Sequence, residues 1–155
     1  MMNFTDSITL HIIHEDTEFT PAKSEILFEA TPTGTFIEGK ILEKAVALEN
    51  GYLLFITDDI PEEEFLTVLL CNKKFELLDK ALIGSAMSTG DLRDVQLHGD
   101  EVHFRFIGDT VWRLRPLAYP ALRLPLLSDP RGVSRPLGLR QHFTLHAEPK
   151  RASQR

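Results

Sequence analysis

Three stretches of the chain hold side chains able to do chemistry. In Gln96-Leu97-His98-Gly99-Asp100-Glu101-Val102-His103 two imidazoles lie beside a carboxylate, a set that can bind a metal ion or move a proton near neutral pH. Gly99-Asp100 is a two-residue turn signal, so the strands on either side would bring His98, Glu101 and His103 onto one face beside Gln96. These three are the candidate ligand or metal residues, set against a plain solvated sheet face. Asp58, Asp59, Glu62, Glu63 and Glu64 put five carboxylates within seven residues. That density attracts a basic partner or a hard cation, but it lacks the Asp-x-Asp-x-Asp-Gly spacing of a calcium loop. His11-Ile12-Ile13-His14-Glu15-Asp16 also has metal-ligand residue types. Its β-branched content favours a strand, where positions 11 and 14 point to opposite faces, so it reads as exposed polar residues at a strand end.

Other candidates carry less. The small, hydroxyl-rich loop Gly84-Ser85-Ala86-Met87-Ser88-Thr89-Gly90 could seat an anion on its backbone donors, yet it lacks the Gly-Lys-Ser/Thr ending of a P-loop and the Gly-x-Ser-x-Gly nucleophile turn. A tight connection is the simpler reading. Cys71 follows Val68-Leu69-Leu70, an apolar setting that raises a thiol pKa and makes it inert. No catalytic residue is assigned and no cofactor is implied.

The elements that would position these residues are strands. From Ile8 to Pro116 apolar residues recur mostly at every second position, in short runs punctuated by Gly, Asn and Asp, which is the pattern of antiparallel sheet. Ile8, Leu10 and Ile12 form one run, and Ile26, Phe28 and Ala30 another. Asn50-Gly51 suits a type I′ turn, which would pair Leu48 with Leu53 and Val46 with Phe55. Ala45, Ala47, Leu54 and Ile56 make the opposite side equally apolar, so this hairpin is expected in the middle of a sheet covered on both faces. The Gly99-Asp100 turn would pair Leu97 with Val102, Val95 with Phe104, and Asp94 with Arg105. At Gly108-Asp109 a two-residue loop would set Phe104 opposite Arg113, a clash of faces. An odd loop of three residues would pair Phe106 with Trp112 and Phe104 with Leu114, giving an aromatic core cluster. Residues 58–83 read either as a short helix near 61–71, with acidic residues at its positive end, or as a hairpin around Cys71-Asn72-Lys73-Lys74. The fold class is mainly β, an antiparallel sandwich or curved meander of about eight strands.

Charge divides the chain. Residues 1–116 carry 10 Lys and Arg against 21 Asp and Glu, whereas residues 117–155 carry 7 against 2 and hold five of the nine prolines. The expected organisation is an acidic β domain over 1–116 and a basic, Pro/Arg/Leu-rich tail over 117–155, mostly irregular, because frequent proline denies it helices and ladder bonds. The tail could lie across the acidic body or be a late extension. An acidic body repels phosphate backbones, so nucleic acid is not an expected partner except weakly through the tail. No apolar run is long enough for a membrane helix, the first residues carry no secretory signal, and one cysteine suits a reducing compartment, so no membrane partner and a cytoplasmic location are expected. The leading functional expectation is a noncatalytic protein whose acidic surface at Asp58, Asp59, Glu62, Glu63 and Glu64 recognises a basic protein partner, as an inhibitor or immunity-like protein would. The alternative is a small metal-dependent enzyme or ligand binder using the His98, Glu101 and His103 face.

Overall fold

In the computed structural model residues 1–58, 65–84, 90–122, 129–130, 132–136 and 140–148 are described, and their regular structure is entirely β. Thirteen strands among these residues form three antiparallel sheets, more strands than the eight or so expected. The largest sheet runs β1 (Asn3–Phe4), β5 (Ile41–Ala47), β6 (Gly51–Thr57), β7 (Leu66–Asn72), β8 (Leu77–Ile83), β12 (Val133–Ser134). A four-stranded sheet runs β13 (Arg140–Glu148), β11 (Val111–Leu122), β10 (Glu101–Arg105), β9 (Arg93–His98). The third comprises β2 (Ile8–His14), β3 (Lys23–Phe28) and β4 (Thr31–Glu38). Among the described residues no helix is long and apolar enough to cross a membrane.

The six-stranded sheet is the middle layer, as the two apolar faces of β5 and β6 require. On one side Val46, Leu53, Phe55, Val68, Leu70, Ala81 and Ile83 meet Val102, Phe104, Phe106, Trp112, Leu114, Phe143 and Leu145 of the four-stranded sheet and its loop. On the other, Ala45, Tyr52, Leu54, Ile56, Leu69 and Cys71 meet Ile8, Ile26 and Ile37 of the three-stranded sheet. Each large side chain buried this way contributes about 1.5–3 kcal/mol.

This double burial also settles the segment around Cys71. Leu66 to Cys71 are all buried, which a middle strand permits and an amphipathic helix with one apolar stripe does not. The hairpin is therefore formed and the helix reading fails at least from Leu66 onward, while residues 59–64 lie outside the described residues. Asn72 closes the turn into β8, its side-chain oxygen accepting from the backbone N–H of Lys74 and Glu76 at 2.9 and 3.0 Å.

Faces hold except at Ala30, which leaves its expected run with Ile26 and Phe28 for an exposed turn at φ +65°, but registers move. Val46 lies opposite Leu53 and Ala47 opposite Tyr52, two residues from the expected pairing. The Leu48 N–H donates to the Gly51 carbonyl at 2.8 Å, so the loop is Glu49-Asn50 and Gly51 belongs to the strand. A Cβ on Gly51 would overlap the Cys71 carbonyl oxygen of β7, so glycine serves a close approach there and not a type I′ turn. Between β10 and β11 the loop is odd, as expected, but five residues long, and Phe104 faces Trp112 while Val102 faces Leu114. Phe104, Phe106 and Trp112 are all fully buried. Leu97 does pair with Val102, whereas Arg105 stands opposite Arg93 because Asp94 bulges with φ +53°. The Asp94 carboxylate still reaches Arg105 Nε at 3.3 Å.

The chain after Pro116 needs the largest correction. β11 continues through Pro116 to Leu122, and β13 pairs along it from Arg140 to Glu148, burying Phe143 and Leu145 in the main core. Proline at 116 and 120 is tolerated where the β11–β13 register slips between Pro116 and Ala121. Arg135 then fastens this stretch to the middle sheet. Its guanidinium, almost fully buried, donates to Asp79 of β8 at 2.7 Å, to both oxygens of Asp129 at 3.0 Å, and to the Phe143 carbonyl at 2.8 Å. Asp79 also accepts the His142 backbone N–H at 2.7 Å.

A chain ending at Pro116 is therefore expected to lose its cooperative thermal transition, with Trp112 emitting at the wavelength of a hydrated indole. In the full chain, Asp79→Ala leaves a buried guanidinium short of a counter-charge and should lower the urea-unfolding free energy by about 3–5 kcal/mol.

Candidate functional site

The outer face of the four-stranded sheet gathers most of the candidate chemistry. Alternation with the buried residues of β10 turns Glu101, His103 and Arg105 outward. Cross-strand pairing then sets Gln96 and Arg113 opposite His103, and His146 opposite Arg113. Gln96, His103, Arg113 and His146 thus form one row across four strands. Glu101 pairs with His98 in the next row, with Arg115 alongside.

The structure does bring His98, Glu101 and His103 together, although not as a metal cage. The two imidazoles stack, with centroids 4.3 Å apart and planes 28° from parallel. His98 Nε2 lies 2.8 Å from the Gln96 side-chain oxygen, and His103 Nε2 lies 3.0 Å from Glu101 Oε1. Arg115 donates to the other Glu101 oxygen at 3.1 Å and sits 3.7 Å from Asp100. The hydrogen bond from His103 holds the Glu101 carboxyl below its ordinary value; desolvation opposes it, and the hydrogen bond and charge of Arg115 add to the lowering. Among the described residues no group of three or more His, Cys, Asp or Glu is arranged to hold a metal ion.

Arg113 and His146 escaped the sequence reading because β13 lay in the segment expected to be irregular. Its signal was present in strict alternation, with Gln141, Phe143, Leu145 and Ala147 on one side and His142, Thr144, His146 and Glu148 on the other.

The acidic candidates divide. Asp59, Glu62, Glu63 and Glu64 lie outside the described residues, as do Ser85 to Thr89 of the small loop. Asp58 follows the last residue of β6, and its carboxyl is pushed above the ordinary value, first by burial and then by the negative charges of Glu38 and Asp16. Lys40 stands in the same neighbourhood, 3.3 Å from Glu15 and 3.5 Å from Asp16. His11 and His14 are exposed on β2. Cys71 is buried with its thiol pushed up to about 11, chiefly by desolvation, which agrees with an inert sulfur.

A cleft of about 360 Å³ opens at the end of the two main sheets, between Leu48, Leu70 and Leu78 on one wall and Pro116, Leu117 and His142 on the other. It lies beside the irregular stretch of β11, where the register slip draws the strand away from β13.

No family model, curated protein or solved structure matches this chain.

Because ionised Glu101 is stabilised by folding, its contribution is present above the unfolded carboxylate pKa and is lost as pH falls through the lower, folded value. Glu101→Gln should cost about 0.2–1 kcal/mol at neutral pH, the range of exposed ion pairs, and the difference from the parent should shrink on acidification. Chemical denaturation at pH 7 and pH 3.5 measures both.

Proposed function

We propose that this protein is a noncatalytic binding protein whose acidic surface recognises a basic protein partner, in the manner of an inhibitor or immunity-like protein. The observation that supports it is carboxylate crowding. The chain carries a net charge of -6, and around Asp58 the negative charges of Glu38 and Asp16 are near enough to raise the Asp58 carboxyl. A lysine or arginine of a partner placed there would relieve that repulsion, as Lys40 does in part for Glu15 and Asp16. In sequence Asp58 is followed by Asp59, Glu62, Glu63 and Glu64, which add four carboxylates to the local negative charge. Such a field speeds encounter with a cationic partner and loses its reach as salt is added. Cytoplasmic residence belongs to the same proposal and is supported by a single, buried thiol.

The second reading, a metal-dependent enzyme at His98, Glu101 and His103, gains no support from rings that stack on each other and spend their Nε2 atoms on Gln96 and Glu101.

Immobilised protein exposed to an extract of its source cells should retain basic proteins at about 0.05 M salt and release them near 0.5 M, where screening shortens to a few ångströms. Combined Asp16→Asn, Glu38→Gln and Asp58→Asn substitution should weaken retention at least tenfold. Retention of acidic proteins alone, or retention indifferent to salt, would end the proposal.

A further inference from the structure

One cation on the outer face of the four-stranded sheet has its hydrogen-bonding capacity unspent. Arg105 is committed to Asp94 and the Asp109 carbonyl, and Arg115 to Glu101 and Asp100. Arg113 differs from both. It makes no hydrogen bond to any described residue, its Nε is buried without a partner, and its nearest carboxylate oxygen, on Glu148, is 3.6 Å from Nη2. That distance exceeds a good charge-assisted hydrogen bond, which lies near 2.7–2.9 Å. The side chain is 34% exposed, so its outer nitrogens are reachable from solvent. His103 flanks Arg113 on β10 and His146 flanks it on β13.

We propose that Arg113, bracketed by His103 and His146, binds a tetrahedral oxyanion of the phosphate class. Neighbouring strands lie about 4.8 Å apart, so one oxyanion seated on the guanidinium fork is within reach of both imidazoles. The planar fork offers two parallel donors to such an anion, His146 adds one N–H, and His103, whose Nε2–H goes to Glu101, adds a donor at Nδ1 when protonated. The Glu101 carboxylate has its oxygens taken by His103 and Arg115 and acts on Arg113 only through its charge, a field that an incoming anion must overcome. Glu148 is the one carboxylate within 4 Å of Arg113 among the described residues, and an incoming anion would displace it.

Affinity follows imidazole charge. His103 faces Gln96 and His98 on β9, Arg113 and Arg115 on β11, and Glu101 and Arg105 on its own strand. His146 faces Arg113 on β11 and has Glu148 beyond it on β13. The His98 ring stacks on His103 with centroids 4.3 Å apart, and protonation of an imidazole adds both a second N–H donor and a positive charge. Binding therefore strengthens from pH 7.5 to pH 5.5. The site lies in a different sheet from Asp58, Glu38 and Asp16, so it stands or fails independently of the acidic docking surface.

The probe is inorganic sulfate, whose charge stays constant over this range, added to the full chain while imidazole resonances are followed by NMR. His103 and His146 resonances should shift along one saturable curve, while exposed His11 and His14 serve as internal controls. Arg113→Lys should weaken binding about tenfold through loss of the fork, Arg113→Gln should abolish it, and Glu148→Gln should tighten it. Inorganic phosphate and phenyl phosphate at one pH then separate a free anion, bound equally or better, from an esterified phosphoryl group, bound more tightly as the ester. The proposal is overturned if His11 and His14 move as far as His103 and His146, or if Arg113→Gln keeps its melting temperature and leaves the sulfate isotherm unchanged.

Discussion

Two adjacent strands that are apolar on both faces impose the architecture. β6 is buried along its whole length and β7 from Leu66 to Cys71, so neither can form an outer layer without exposing a row of Leu, Val, Ile and Phe. Each face needs its own cover. The thinner cover is the β2–β4 sheet, which buries Ile8, Ile26 and Ile37; the thicker is the β9–β11 and β13 sheet, which supplies Phe104, Trp112 and Phe143. Since the second cover is incomplete without β13, the main core closes only when the chain returns after residue 122. The Arg135 network is then understandable as a lock at that return. It ties Asp79 of the middle sheet to the Phe143 carbonyl of the outer sheet, and its guanidinium also lies over the Phe143 ring, 4.4 Å from its centroid. A buried charge is tolerated there because its donors meet two carboxylates and a carbonyl.

The fold was legible wherever hydrophobic parity alone decides. Ala45, Val46, Leu53, Leu54, Phe104, Phe106 and Trp112 all face the directions their alternation implies, because a one-residue slip would carry a whole strand to the wrong face. Registers were not legible, since parity allows shifts of two residues and the choice among them lies with groups distant in sequence. Gly51 shows this: the Cys71 carbonyl across the sheet, and not the local turn preference of Asn50-Gly51, decides that it sits inside β6. Asp94 shows the same for a bulge, where the bond to Arg105 survives although the residue leaves the register. The segment after Pro116 misled because proline and arginine composition outweighed a nine-residue alternation in Arg140–Glu148.

The candidate face was legible only in part, for the same reason. His98, Glu101 and His103 belong to one hairpin, so local turn logic suffices to bring them together. Arg113 is ten residues from His103 in sequence and His146 forty-three, and only the β10–β11–β13 order makes them neighbours. Local spacing therefore suggested a metal site of two histidines and a glutamate, whereas the assembled face replaces the convergent ligands by a stacked imidazole pair and an arginine between one ring of that pair and His146.

Arg135 and Arg113 place the same side chain in opposite circumstances. Arg135 is buried, donates to Asp79, Asp129 and the Phe143 carbonyl within 3.0 Å, and fixes one covering sheet to the middle layer. Arg113 is one-third exposed, holds no hydrogen bond to a described residue, and has its carboxylate neighbour, Glu148, 3.6 Å away. Desolvating a guanidinium is unfavourable unless its donors are satisfied, so a partly covered arginine with unused donors is maintained at a cost that packing alone does not repay. Its aliphatic stem could cover the sheet as well in a lysine or a methionine. What those residues lack is the planar fork, and on this face the fork is the feature for which an external anion supplies the missing acceptor.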